Sequence, residues 1–177
     1  IIIVGAMANN IFKYKGLNIG KSFFEANLDG TIQEIFLYAN THNCKIYFPI
    51  DVKVGKTLDD TSSEKDFKDI KYDDMILDIG TKTLLEIRKI IDNSSTILWN
   101  GPLGYFENKN FAIGSLEVGK YIADKSDRIF SVVGGGDTVA VINSLKIQDK
   151  FGFVSTAGER PSFLPGRVVP LLYSVFA

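Results

Sequence analysis

The sequence predicts an α/β fold in which a parallel sheet carries helices on both faces, giving three layers. Short apolar and β-branched runs alternate along the chain with amphipathic segments of helical period. Glycine-rich stretches join the ends of several apolar runs to the helical segments that follow them. Strands that alternate with helices are typical of parallel sheets covered on both sides.

The individual elements follow the same rhythm from residue 1 to residue 155. The predicted strands are residues 1–4, 44–48, 51–54, 75–79, 96–99, 129–133 and 151–155. The predicted helices are residues 8–15, 28–41, 81–91, 115–123 and 139–145. This order predicts a Rossmann-like sheet, and such sheets bind ligands at the carboxyl ends of their strands. The loops after the predicted strands should therefore share one edge.

Two segments break the rhythm. Residues 55–71 are rich in charged, Ser and Thr side chains and are predicted to form a solvated loop. Residues 159–177 end in an apolar tail that does not continue the pattern, so we expect a domain over residues 1–158 and a divergent tail over residues 159–177.

Composition excludes several kinds of function. The 177 residues carry a net charge of −1 and are 45% hydrophobic, which is typical of a globular protein and predicts no large electrostatic attraction to nucleic acid or membranes. We expect a monomer. With one Cys and one His, the chain forms no internal disulfide and no His/Cys zinc site. A single cysteine suits a reducing compartment, so we expect a cytoplasmic protein.

The stretch 130–142 predicts a strand, a tight turn and a helix. Gly134, Gly135 and Gly136 would let a ligand approach bare backbone, and the free N–H groups of a helix N-terminus favour an anion such as phosphate. Asp137 offers a carboxylate for Mg²⁺, and Thr138 can donate to phosphate or cap the helix. A tight turn with an ordinary Asp or Thr cap explains this stretch equally well.

A second unusual stretch, residues 99–107, reads Trp-Asn-Gly-Pro-Leu-Gly-Tyr-Phe-Glu. Asn100 can donate to phosphate oxygens, the surroundings of Pro102 offer an apolar surface to a base, and Glu107 can accept from ribose hydroxyls. By itself, the stretch is also compatible with a surface loop that ends in a solvated glutamate.

Taken together, the two stretches resemble phosphoglycerate kinase. Trp-Asn-Gly-Pro-x-Gly-x-Phe-Glu is followed about thirty residues later by Gly-Gly-Gly-Asp-Thr. Further matching motifs lie in the family's order at residues 5–9, 18–22, 49–52, 77–83 and 153–156.

The resemblance implies a two-domain kinase that transfers phosphate between 1,3-bisphosphoglycerate and ADP with Mg²⁺, giving 3-phosphoglycerate and ATP. It assigns Glu107 to the ribose, Asn100 to the phosphates and Asp137 to the metal. It also assigns the adenine pocket to Gly5, Ala6, Phe48, Gly80 and Pro102, and the catalytic phosphate contacts to Gly135, Gly136 and Thr138.

The sequence also departs from the family's pattern. These residues contain no counterpart of the amino-terminal domain with the basic phosphoglycerate site, nor of the lysine that contacts the transferring phosphate. After Thr156 the family's next glycine run is replaced by Ala-Gly-Glu-Arg-Pro, which suggests a frameshift near Gly158.

Three functions are compatible with this pattern. The first is the nucleotide-binding half of phosphoglycerate kinase, which would use 3-phosphoglycerate only if the missing domain is supplied. The second is a non-catalytic nucleotide-binding remnant of that enzyme. A dinucleotide-binding oxidoreductase is disfavoured, because residues 134–137 lack the G-x-G-x-x-G spacing.

Overall fold

The computed structural model describes residues 1–155 and the strand Val169–Tyr173. The strands are β1 (Ile2–Ile3), β2 (Asp51–Gly55), β3 (Ser63–Asp66), β4 (Met75–Ile79), β5 (Thr96–Asn100), β6 (Phe130–Gly134), β7 (Phe153–Val154) and β8 (Val169–Tyr173). The helices are α1 (Gly5–Tyr14), α2 (Asp29–Thr41), α3 (Thr81–Asp92), α4 (Ile113–Ala123) and α5 (Gly136–Leu145).

The main sheet has five strands in the order β1-β8-β5-β6-β7, and every neighbouring pair is parallel. This arrangement confirms the predicted α/β class with a parallel sheet. Strands β5 and β6 are largely buried and mostly apolar, as expected where a parallel sheet is covered on both faces. Trp99 of β5 is fully buried, and its indole N–H donates to the Gly101 carbonyl at 2.7 Å.

Two hydrophobic clusters form the core, and β1 contributes to both. Ile2 and Val4 pack into the cluster that contains Trp99, whereas Ile3 packs into a second cluster built on α1 and β2. Because successive side chains of a strand point to opposite faces, this alternation places packed side chains on both sides of β1.

A second sheet, in the order β3-β2-β4, is antiparallel throughout. The sequence led us to expect the strands at residues 51–54 and 75–79 in the parallel sheet, and that expectation is wrong. A short buried apolar run has the same local pattern in either kind of sheet, so its partner cannot be derived from the run itself. The loop after β4 consequently leaves a different sheet from the loops after β5 and β6.

Two further segments differ from the predicted elements. β3 lies inside the segment 55–71, which was predicted to be a solvated loop. Its residues Ser-Glu-Lys-Asp form a polar edge strand, and their sequence has no apolar alternation that would predict a strand. The predicted strand at residues 44–48 is reduced to one parallel bridge between Ile2 and Tyr47. Since β1 is only two residues long, it offers a neighbour little length for pairing.

β8 lies within the predicted tail and pairs in parallel with both β1 and β5. Its pairing with β5 shifts register between Leu98 and Trp99. The predicted boundary at residue 158 and the Ala157–Pro161 sequence lie outside the described residues, so the division at 158 remains a prediction.

Candidate functional site

The carboxyl ends of β5 and β6 lie side by side. Asn100 and Gly134 are register partners, so the two unusual stretches leave the sheet at the same place. The Asn100 side chain lies against the glycine turn, because a Cβ on Gly134 would lie 3.1 Å from the Asn100 Oδ1 and one on Gly135 would lie 3.3 Å from it. The structure therefore brings Asn100 and the glycine turn together, as the shared-edge argument predicted for these two loops.

The turn after β6 is open to solvent. Gly135 adopts a φ of 85°, which favours glycine, and α5 begins at the next residue. Gly135, Gly136 and Asp137 are exposed, and a Cβ on Gly136 would meet no atom within 4 Å. Among the described residues, no side chain accepts a hydrogen bond from the first N–H groups of α5. The first N–H groups of the helix are therefore available to an anion.

Thr138 is fully buried, and its hydroxyl accepts a hydrogen bond from the Gly101 N–H at 2.6 Å. This contact fastens the loop after β5 to the first turn of α5. The alternative of an ordinary threonine cap does not describe this side chain, because its hydroxyl contacts another loop and not the N–H groups of its own helix. Accepting this hydrogen bond leaves the Thr138 hydroxyl its own O–H to donate, so donation to phosphate stays a prediction.

The residues assigned to the base and ribose have diverse surroundings. Glu107 is exposed and Pro102 is buried. Gly5 lines a narrow cavity with Pro49 and Leu103, which brings the loop after β1 close to the loop after β5. Ala6, the next residue of α1, is buried.

Phe48 and Gly80 lie in more enclosed positions. Phe48 is half-buried and makes edge contacts with Phe12 and Phe36. Gly80 is buried, and a Cβ there would overlap the Asp51 carboxylate. Gly80 therefore has no open space at its Cα, in contrast to Gly136.

Asp51 caps α3 from a neighbouring strand, which sequence reasoning missed. Its carboxylate accepts the Lys82 N–H at 2.8 Å, the Thr83 N–H at 2.7 Å and the Thr83 hydroxyl at 2.6 Å. Asp51 is 1% exposed. The protein thus fills the N-terminus of α3 with its own carboxylate.

Asp78 is a second buried carboxylate that was missed. It accepts the Ile79 N–H and the Gly114 N–H, each at 2.8 Å. Burial raises the pKa of Asp78 to about 7, although the two N–H groups and the nearby Lys53 lower it. The available clue was an aspartate within the apolar run Met-Ile-Leu-Asp-Ile of β4.

Asp137 carries an exposed carboxylate, the kind of group that can bind Mg²⁺. Within residues 1–155, no three His, Cys, Asp or Glu side chains group together as a metal cage. Mg²⁺ commonly takes only one or two protein carboxylates and completes its coordination with phosphate oxygens and water. One exposed carboxylate beside an anion-accepting turn fits that mode.

No helix in the described part of the chain is long and apolar enough to cross a membrane.

Fold and site together define an α/β protein with an exposed glycine turn at the carboxyl ends of parallel strands. The family model for phosphoglycerate kinase matches residues 1–162. The chain belongs to the phosphoglycerate kinase family, whose members are phosphate-transferring kinases.

Curated relatives and solved structures agree with this membership. Phosphoglycerate kinase from Wolbachia pipientis subsp. Culex pipiens is 42% identical over 98% of this chain and 45% of its own length. The enzyme from Francisella philomiragia is 40% identical over 96% of this chain and 44% of its own length. The structure of phosphoglycerate kinase from Coxiella burnetii superposes with a TM-score of 0.83 at 32% identity, covering 89% of this chain and 40% of that one. The chain therefore spans less than half the length of these relatives.

Proposed function

We propose that this chain is the nucleotide-binding part of a phosphoglycerate kinase, which transfers phosphate between 1,3-bisphosphoglycerate and ADP to give 3-phosphoglycerate and ATP. The observation that carries the proposal is the exposed, uncapped turn at Gly135–Asp137 directly beside Asn100. A turn with free N–H groups, a neighbouring amide and a carboxylate suits a magnesium-bound di- or triphosphate.

Each predicted site residue takes a role in this proposal. The backbone N–H groups of Gly135, Gly136 and Thr138 would donate to phosphate oxygens, and Asn100 would donate from its side chain. Glu107 would accept from the ribose hydroxyls. Gly5, Ala6, Phe48, Gly80 and Pro102 would form the surroundings of the adenine.

The proposed reaction joins a carboxylate oxygen of 3-phosphoglycerate to the γ-phosphorus of ATP as the bond from that phosphorus to the β,γ-bridging oxygen breaks. The electron pair of the broken bond remains on ADP, and the reverse reaction makes ATP. Phosphoryl transfer depends on positioning and on neutralising charge, which donors at the start of α5 can supply. Mg²⁺ held by Asp137 would add neutralisation of phosphate charge.

The alternative is a nucleotide-binding module of this family without turnover. The residues given match 40 to 45% of the length of the relatives described above. A coupled assay with Mg·ATP and 3-phosphoglycerate distinguishes the two candidates.

We further propose that the protein is a cytoplasmic monomer.

Calorimetric titration with Mg·ADP and with metal-free ADP tests the proposed function. We expect the folded chain to bind both weakly, and Asp137→Ala to lower affinity for Mg·ADP by about tenfold without lowering affinity for metal-free ADP. The reason is that this carboxylate attracts the cation but only repels bare phosphate. Asp149→Ala, in the short 3₁₀ helix Gln148–Lys150 that follows α5, is the matched control.

Absence of nucleotide binding by demonstrably folded protein would contradict the proposed function. Equal losses for the two ligands in Asp137→Ala would instead show that Asp137 does not act through the metal.

A further inference from the structure

The segment between Gly104 and Gly114 begins and ends at one buried side chain, that of Asp78. A Cβ on Gly104 would lie 2.5 Å from the Asp78 Oδ1, and a Cβ on Gly114 would overlap the same carboxylate. Both glycines are thus needed for the backbone to approach this group. The segment they delimit includes Glu107, which is exposed.

Hydrogen bonds fix this arrangement at both ends. The Gly114 N–H, in the first turn of α4, donates to the Asp78 Oδ2 at 2.8 Å. At the other end, the Tyr105 N–H donates to the carbonyl of Leu77 at 2.7 Å, one residue before Asp78 in β4. The Leu103 N–H donates to the Ser115 hydroxyl at 2.8 Å. The start of the segment is therefore tied to both β4 and α4.

The charge state of Asp78 is finely balanced. The side chain is 3% exposed, and this burial favours the neutral acid. Lys53, its register partner on β2, and the N–H groups of Ile79 and Gly114 favour the carboxylate. Where it approaches the Asp78 carboxylate, the segment from Gly104 to Gly114 contributes glycine and backbone atoms. As a result the pKa of Asp78 is about 7, so the group titrates in the neutral range.

We propose that Asp78 is a positioning residue for nucleotide binding: its carboxylate holds the Gly114 end of the segment 104–114 beside β4, where the Tyr105 N–H anchors the other end, and thereby places Glu107 for the ribose. This inference rests on the proposed function. Protonation weakens the carboxylate as an acceptor for the Gly114 N–H and loosens the segment. The ligand class affected is the nucleoside, because the phosphate turn at Gly135–Asp137 makes no contact with this carboxylate.

Titration with adenosine across the neutral pH range tests the proposal, since adenosine has no phosphate that would titrate there. Wild-type affinity should fall about fivefold as the pH decreases through about 7. Asp78→Asn should bind weakly with no pH dependence. His42→Gln removes the sole histidine, which is exposed at the end of α2, and should retain the wild-type pH profile.

A double-mutant cycle separates positioning from general stability. In a Glu107→Gln background, Asp78→Asn should cause little further loss of affinity, because the group that it positions is gone. If the two losses multiply independently, Asp78 does not act through Glu107 and the proposal is overturned.

A measurement on the wild type covers the case in which Asp78→Asn does not fold. Hydrogen-exchange protection of the Gly114 amide, corrected for intrinsic exchange, should decrease as the pH falls through about 7. Constant protection, or adenosine affinity that does not vary with pH, would overturn the role of Asp78 alone. Failure of folded wild type to bind either adenosine or Mg·ADP would overturn the proposed function itself.

Discussion

Two strands of this molecule end near a glycine that leads directly into a helix: β6 leads into α5, and β4 leads into α3. At α3 the space is filled, because the Asp51 carboxylate lies against Gly80 and accepts the N–H groups of Lys82 and Thr83. At α5 the corresponding turn is exposed, and no side chain in the part of the chain that the structure describes caps the helix.

The comparison shows why a glycine between a strand and a helix does not by itself indicate a ligand site. Both helices begin with unsatisfied N–H groups, and each set needs an acceptor. α3 obtains its acceptor from within the fold, whereas the first N–H groups of α5 have no side-chain acceptor among the described residues. The identity of the acceptor, internal or external, separates structural capping from binding.

The largest effect expected from this difference is on stability. Asp51→Ala should lower the free energy of unfolding by about 3 kcal/mol, because three hydrogen bonds to a buried carboxylate are lost. Urea denaturation measures the loss. Asp137→Ala, which removes the acidic side chain in the first turn of α5, should lower the free energy of unfolding by less than about 1 kcal/mol. Similar losses for both variants would erase the distinction between the two helix starts.

A smaller effect separates two neighbouring glycines of the open turn. Gly135→Ala should destabilise the protein by about 1–2 kcal/mol, since alanine is strained at a φ of 85°. Gly136→Ala should change stability by less than about 0.5 kcal/mol, because no atom lies near the new methyl group. It should nevertheless weaken Mg·ADP binding about tenfold by occupying the turn, as calorimetry can measure. A Gly136→Ala variant with unchanged affinity would place the nucleotide elsewhere.

The parts of the fold that could be predicted from the sequence are those with a local pattern. β5 and β6 are buried apolar runs bounded by glycine, and α3 has its buried residues Thr83, Ile87 and Ile91 at helical spacing. The second sheet was missed, because the pairing of β2 with β4 is a long-range choice. β3 was missed because a polar edge strand resembles a loop.

The same distinction, between local sequence pattern and long-range partners, applies to the site residues. The proximity of Asn100 to the glycine turn could be predicted, since parallel strands end at one edge. The buried carboxylates Asp51 and Asp78 could not, because an aspartate is usually exposed and its partners here come from other parts of the chain. Most of their partners are backbone N–H groups, and every residue type except proline has one, so the sequence does not indicate which of them will donate.

We propose that the open turn of α5 receives the nucleotide phosphates, whereas the capped start of α3 does not. Backbone amide chemical shifts recorded by NMR during titration with Mg·ADP test this most directly. We predict the largest changes at Gly135, Gly136 and Asp137, and none beyond noise at Lys82 and Thr83. Changes centred on Lys82 and Thr83, or a folded protein whose turn amides do not respond at saturating nucleotide, would contradict the claim.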